Sequence, residues 1–165
     1  MRVRSFPPLI AAGARVLILG SMPGVASLNA HRYYAHPQNR FWPLLGEIIG
    51  FDAQADYATR CQALFDAGIA VWDVLGECSR PGSLDSAIER SSERANDLPA
   101  LLATHPTIRT LLLNGGKAAL SLRRHFPQLD IATLTLPSTS PANASINHAR
   151  KLTAWRDALQ AALQD

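Results

Sequence analysis

The sequence predicts an α/β protein, a three-layer α/β/α arrangement around a central, mostly parallel sheet, organised as one domain over residues 1–165. Short apolar runs of strand type alternate with stretches of helical periodicity, and no repeat or low-complexity tract interrupts them. An apolar fraction of 47% against a charged fraction of 18% suits a chain that buries a sizeable core.

Four runs bounded by turn residues, Val16 to Leu19, Ile69 to Val74, Ile108 to Leu113 and Ile131 to Leu136, fit strands buried on both faces. Between them, Phe41 to Ile49, Ala55 to Ala67, Ala95 to Ala103 and Ala118 to His125 carry apolar residues three and four apart and predict helices covering the sheet. The last segment, His148 to Gln164, aligns Leu152, Trp155, Leu159 and Leu163 on one helical face. Three strand ends run into distinctive loops: Gly20-Ser21-Met22-Pro23-Gly24, Asn114-Gly115-Gly116, and Pro137-Ser138-Thr139-Ser140-Pro141-Ala142-Asn143. Open parallel sheets bind ligands at the carboxyl ends of their strands, so these loops are expected to converge on one cleft.

Composition excludes several classes. The longest apolar runs are far too short for a bilayer span, and the N-terminal residues lack a secretory apolar core, so the expected location is the cytosol. Cys61 and Cys78 lack the paired spacing of zinc or iron–sulfur ligands and read as reduced structural thiols. Gly116-Lys117 is not a phosphate-binding loop, because Leu111 stands where the first glycine belongs and no hydroxyl residue follows Lys117. Ser138 and Ser140 lack a nucleophile-elbow frame. The net charge of +3 comes from fourteen arginines and two lysines, which permits nucleic acid without requiring it.

The segment Tyr33-Tyr34-Ala35-His36-Pro37-Gln38-Asn39-Arg40-Phe41-Trp42 crowds aromatic, amide and basic groups before a helix, a mixture suited to stacking on a base and bonding its edge. Phe41 and Trp42 read as core; Asn39 also has the form of a helix cap. Asn114, between a strand and two glycines, fits a helix cap and a base reader equally well by residue type. The prolines and small hydroxyl residues of 137–143 form either a tight surface turn or a loop that presses on a phosphate backbone or enters the minor groove.

Gly-Ser-Met-Pro-Gly followed by Tyr-Ala-His-Pro-Gln-Asn-Arg-Phe-Trp resembles the first motif region of uracil-DNA glycosylases, most closely their hypoxanthine-DNA (deoxyinosine) branch. It is also similar to the mismatch-specific uracil-DNA glycosylases. Leu111-Leu112-Leu113-Asn114 resembles the superfamily strand that ends in a base-reading asparagine, and Leu136 to Asn143 stands where that superfamily has its DNA-inserting loop. The resemblance spans nearly the whole chain and implies a uracil-DNA glycosylase-like fold that flips a deaminated base from damaged DNA and hydrolyses its glycosidic bond.

The carry-over is selective. Met22 replaces the acidic or amide residue that positions water in many members, and its thioether cannot do that work. Ser138, Thr139 and Ser140 stand where some branches carry a histidine. By resemblance to the deoxyinosine branch, Asn39 is the expected catalytic residue, and the asparagine at 114 is tipped toward base reading. Ser21, Met22, Tyr34 and Asn114 are expected to bind the base. Ser138, Thr139, Ser140, Pro141 and Asn143 are expected in the DNA-binding loop. No metal or cofactor is implied, and the expected partner is damaged DNA, with the chain acting as a monomer away from membranes. Hypoxanthine is the expected base, with uracil second and xanthine a further alternative. An inactive DNA- or nucleotide-binding module of the same fold is the competing class.

Overall fold

The computed structural model describes residues 2–143 and 145–164; Met1, Ala144 and Asp165 lie outside the described residues. Along the chain the elements are β1 (Arg2–Arg4), β2 (Val16–Gly20), α1 (Val25–Ala30), α2 (Phe41–Ile49), α3 (Tyr57–Asp66), β3 (Ile69–Asp73), β4 (Leu75–Ser79), β5 (Arg94–Ala95), α4 (Leu98–Thr104), β6 (Thr110–Asn114), α5 (Gly116–His125), β7 (Ala132–Leu136) and α6 (His148–Leu163), with short 3-10 turns at Asp85–Ala87 and Arg90–Ser92. The four expected strands pair in parallel in the order β3-β2-β6-β7.

Strand periodicity divides the core into two layers. Val16, Ile18, Val71 and Leu112 face one side and meet Phe41, Leu44 and Leu45 of α2, Leu64 of α3 and Trp155 and Leu159 of α6. Leu17, Leu19, Leu111 and Leu113 face the other and meet Leu98 of α4 and Ala118, Ala119 and Leu122 of α5. Because alternate residues of β2 are buried on opposite faces, that strand needs apolar side chains throughout, which is the run read from the sequence. No helix among the described residues is long and apolar enough to cross a membrane. Cys61 and Cys78 are buried and free.

Four details differ from the sequence reading. β7 forms where expected, but it is an edge strand: Ala132 to Thr135 are exposed and Leu136 alone is buried, because one neighbour and partial helix cover leave it open. The helix expected from Ala95 begins at Leu98, where Asp97 caps it by accepting from the Ala100 amide at 3.1 Å, while Arg94–Ala95 pairs with β4. A second, antiparallel sheet, β1-β4-β5, escaped the reading because β1 and β5 are only three and two residues long and β1 lies far from β4 in sequence. The short helix α1 was also not expected.

Candidate active site

In-register pairing sets Gly20 opposite Asp73 and Asn114 opposite Leu136, so four strand ends form one row at the carboxyl edge of the sheet. Above it opens a cavity of about 520 Å³, within the ~300–1,000 Å³ span of small-ligand sites. Every site residue expected from the sequence lines this one cavity, from Ser21 and Met22 through Tyr34, Asn39 and Asn114 to the loop ending at Asn143.

The first loop is held by its carbonyls. Gly20 and Ser21 accept from the amides of Val74 and Leu75 at 2.8 and 3.1 Å, and Pro23 accepts from Arg80 Nη2 at 2.5 Å. A trans peptide points each N–H opposite its carbonyl, so the amides of Ser21 and Met22 are turned away from β4. The Ser21 hydroxyl donates to Asp85 Oδ1 at 2.6 Å. Met22 is buried, packed with Leu75, Cys78 and Ile88.

Tyr34 adopts a left-handed backbone, φ +54°, uncommon outside glycine, and stacks on Phe41 with ring centroids 4.0 Å apart. Its hydroxyl reaches the strand row, where a Cβ at Gly20 would lie 3.2 Å from it and 2.6 Å from Asp73 Oδ1. Only glycine leaves room for both groups on the floor.

Asn39 serves α2 and keeps half its amide open. The N-cap of α2 is Arg40, without a side-chain bond, so Asn39 is not the cap; one residue earlier, its Oδ1 accepts from the Phe41 amide at 2.9 Å in a turn that leads into the helix, while Nδ2 donates to no protein group among the described residues. An N–H can only donate, so this contact fixes the amide orientation and leaves a donor as the atom that can meet a ligand.

Asn114 does not cap α5, whose N-cap is Gly115 without a side-chain bond. Its Oδ1 accepts from the Thr139 amide at 3.0 Å, and its Nδ2 donates to Thr139 Oγ1 at 3.0 Å and to Tyr34 Oη at 3.3 Å. The side chain thus clasps β6, the last loop and Tyr34 together. Gly115, at φ +96°, lets that loop pass, since a Cβ there would sit 3.0 Å from Ser138 Cβ.

The last loop is bonded within itself. Ser138 Oγ accepts from the Ser140 amide, Ser140 Oγ from the Ala142 amide, and Asn143 Nδ2 donates to the Ser138 carbonyl. Trp155 and Lys151 of α6 anchor its two ends at the Pro137 and Asn143 carbonyls. Thr139, expected among the residues facing DNA, is completely buried and holds the loop from inside, because its amide, hydroxyl and carbonyl are engaged by Asn114 and Arg40. Pro141 and Ala142 form the exposed tip.

Two carboxyl groups were missed in the sequence. Asp73 ends β3, lines the cavity and is 4% exposed; burial first, and then the charge of Asp85, push its carboxyl up to about 8 against the opposing pull of Arg80. A carboxylate closing the apolar run Ile69-Ala70-Val71-Trp72 was the available signal. Asp85 lies on an irregular turn whose sequence gives none. Burial and Asp73 also raise the Tyr34 phenol, which keeps it a neutral hydroxyl. Among the described residues no three His, Cys, Asp or Glu side chains gather to hold a metal ion.

Comparison with known proteins agrees with this fold. The model of the uracil DNA glycosylase superfamily matches residues 7–164. A hypoxanthine DNA glycosylase of Methanosarcina barkeri is 37% identical over 161 residues, covering 97% of this chain and 99% of its own. Another hypoxanthine DNA glycosylase, from Methanosarcina acetivorans, is 35% identical over 149 residues, covering 90% and 92%. A solution NMR structure of a Methanosarcina acetivorans protein assigned to the uracil DNA glycosylases superposes with a TM-score of 0.82 at 32% identity, over 99% of this chain and 100% of that one. With a parallel sheet, a cavity at its carboxyl edge and relatives matched almost end to end, the chain belongs to the uracil DNA glycosylase superfamily.

Proposed function

We propose that this chain is a DNA glycosylase that excises hypoxanthine, receiving the everted nucleotide in the strand-end cavity and leaving an abasic site. The observation that carries the reading is the gathering of Tyr34, Asn39, Asn114 and the 138–143 loop around one cavity of base-accommodating size. The names of the two Methanosarcina relatives favour hypoxanthine over uracil.

In this reading Tyr34, backed by Phe41, stacks on the base. The amides of Ser21 and Met22 approach a base carbonyl, and Asn114 offers the remaining lone pair of Oδ1 to a ring N–H. As the bond from C1′ to the base lengthens, negative charge grows on the base and positive charge on the sugar, and donors already aimed at the base lower the barrier. Asn39 contributes its open Nδ2, to the base or to the attacking water. Ser138, Ser140, Pro141 and Asn143 set the loop against the duplex, with Pro141 at its tip.

Water is the proposed nucleophile. A lyase step needs a free amine, whereas Lys117 bonds Glu93 and Lys151 bonds the Asn143 carbonyl, and neither lines the cavity. Borohydride should therefore trap no enzyme–DNA adduct.

The test is single-turnover incubation with labelled duplexes carrying deoxyinosine, deoxyuridine or normal bases, followed by alkali. Strand scission at deoxyinosine supports the reading; scission at deoxyuridine alone reassigns the substrate, and none at either leaves a binding module. Asn39→Ala is expected to bind deoxyinosine DNA yet release the base about 100-fold more slowly, the scale of losing one transition-state donor. An undiminished rate in that variant would move the catalytic role elsewhere.

A further inference from the structure

Asp73 is a buried titratable side chain lining the cavity to which the glycosylase reading assigns no task. It occupies the end of β3, level with Gly20 in β2, and shares the floor with the Tyr34 hydroxyl. Its Oδ2 is buried without a hydrogen-bond partner among the described residues. A purely structural carboxyl would have its oxygens satisfied, since burying an unpaired charge is costly.

We propose that Asp73 is the general acid of this pocket, giving its carboxyl proton to the departing purine. The inference rests on the glycosylase reading and adds a residue and a step to it. The groups facing Asp73 agree. Burial acts first on its carboxyl; Asp85, from the turn after β4, adds repulsion and Arg80 opposes, while the phenols of Tyr33 and Tyr34, which the Asp73 charge reaches, stay neutral. Together they hold the proton on Asp73 near neutral pH, where a general acid works best. Uniting a raised carboxyl with a cavity is the pattern by which such acids are recognised.

The step balances as follows. The C1′–N9 bond breaks with its electron pair going to the purine, and the Asp73 proton passes to N7, so that hypoxanthine leaves neutral. Water bonds to C1′, and the proton it releases returns to the Asp73 carboxylate through solvent. N7 is a ring acceptor that purines have and pyrimidines lack, so the step also favours hypoxanthine over uracil.

The test uses the full chain under single turnover, with DNA carrying deoxyinosine or 7-deaza-2′-deoxyinosine, from pH 5 to 10. For the unmodified protein, release of hypoxanthine should fall about tenfold per pH unit above a midpoint near the Asp73 value of about 8. The 7-deaza base should be released at least 100-fold more slowly, and Asp73→Asn, which keeps the shape but holds no transferable acid proton, should lose about 10² to 10⁴-fold and the alkaline limb with it. Asp73→Asn within threefold of the parent, a retained limb in that variant, or undiminished release of the 7-deaza base would overturn the role of Asp73 while leaving the glycosylase reading intact. No release from deoxyinosine DNA by the unmodified protein would overturn both. Should Asp73→Asn lose its circular-dichroism signature of folding, the parent's pH limb and the 7-deaza comparison decide the matter.

Discussion

Gly20 sets the spacing of the pocket floor, because the two groups beside it leave no space for a methyl. In Gly20→Ala the new Cβ meets Asp73 Oδ1 at 2.6 Å and Tyr34 Oη at 3.2 Å, so the ends of both side chains must shift from their places on the floor. Overpacking of this kind costs about 1–3 kcal/mol, so the denaturant midpoint should fall and base release with it. Asp73→Asn acts in the opposite direction on stability. The folded carboxyl sits near 8 against an ordinary 3.8, so the native state holds a proton that the unfolded chain gives up. Stability from this group is therefore complete below about pH 4 and is lost as pH rises through 8. At pH 7 the amide should raise stability by up to about 4 kcal/mol, and chemical denaturation from pH 4 to 8 should show a flatter profile for the variant. A variant no more stable than its parent would mean that Asp73 is ionised in the native state. More stability with less turnover is the trade expected at a strained functional position.

At the scale of elements, α5 is tied to the segment before β5 by one carboxylate. Glu93, its side chain fully buried, receives Lys117 Nζ, Arg124 Nη1 at 3.0 Å and His125 Nε2 at 2.8 Å. Burial alone would raise this carboxyl, but hydrogen bonds from Lys117 and His125 and the nearby charges hold it below the usual range. Its contribution is thus present above about pH 5 and lost as the medium turns acid. Glu93→Gln should cost about 3 kcal/mol at pH 7, as when a buried partner is removed from charged neighbours, and its stability should decline less steeply on acidification than the parent's. How far the elements were legible follows from where their information resides. β2, β3 and β6 announce themselves as apolar runs because both faces are buried, and α2 and α6 because each buries one stripe. β4 contains Gly76, which lies against Asn96, and it pairs with Arg2–Arg4 across some seventy residues of chain, so its local pattern is weak. The site shows the same division. Asn39 and Tyr34 stand in a dense local motif, whereas Asp73 acquires its character only when Gly20, Tyr34 and Asp85 fold around it.

For the whole molecule, the proposed function divides the work between arginines that meet phosphate, fourteen of the sixteen basic residues, and a cavity that selects the base. These contributions separate in experiment. Arg40 is exposed directly beside Asn39, its backbone amide donates to the Thr139 carbonyl at 2.9 Å, and its charge acts on Lys151 below the last loop. That position suits a guanidinium that meets the DNA backbone beside the everted nucleotide. Each phosphate contact releases condensed counterions and adds about 0.9 to the salt slope of log K. Arg40→Ala should therefore weaken binding to deoxyinosine duplex and undamaged duplex by the same factor and reduce the salt slope for both by about 1. Binding measured between 50 and 200 mM salt by fluorescence anisotropy reads both quantities. A loss confined to deoxyinosine DNA, with the slope unchanged, would place Arg40 on the base instead of the backbone.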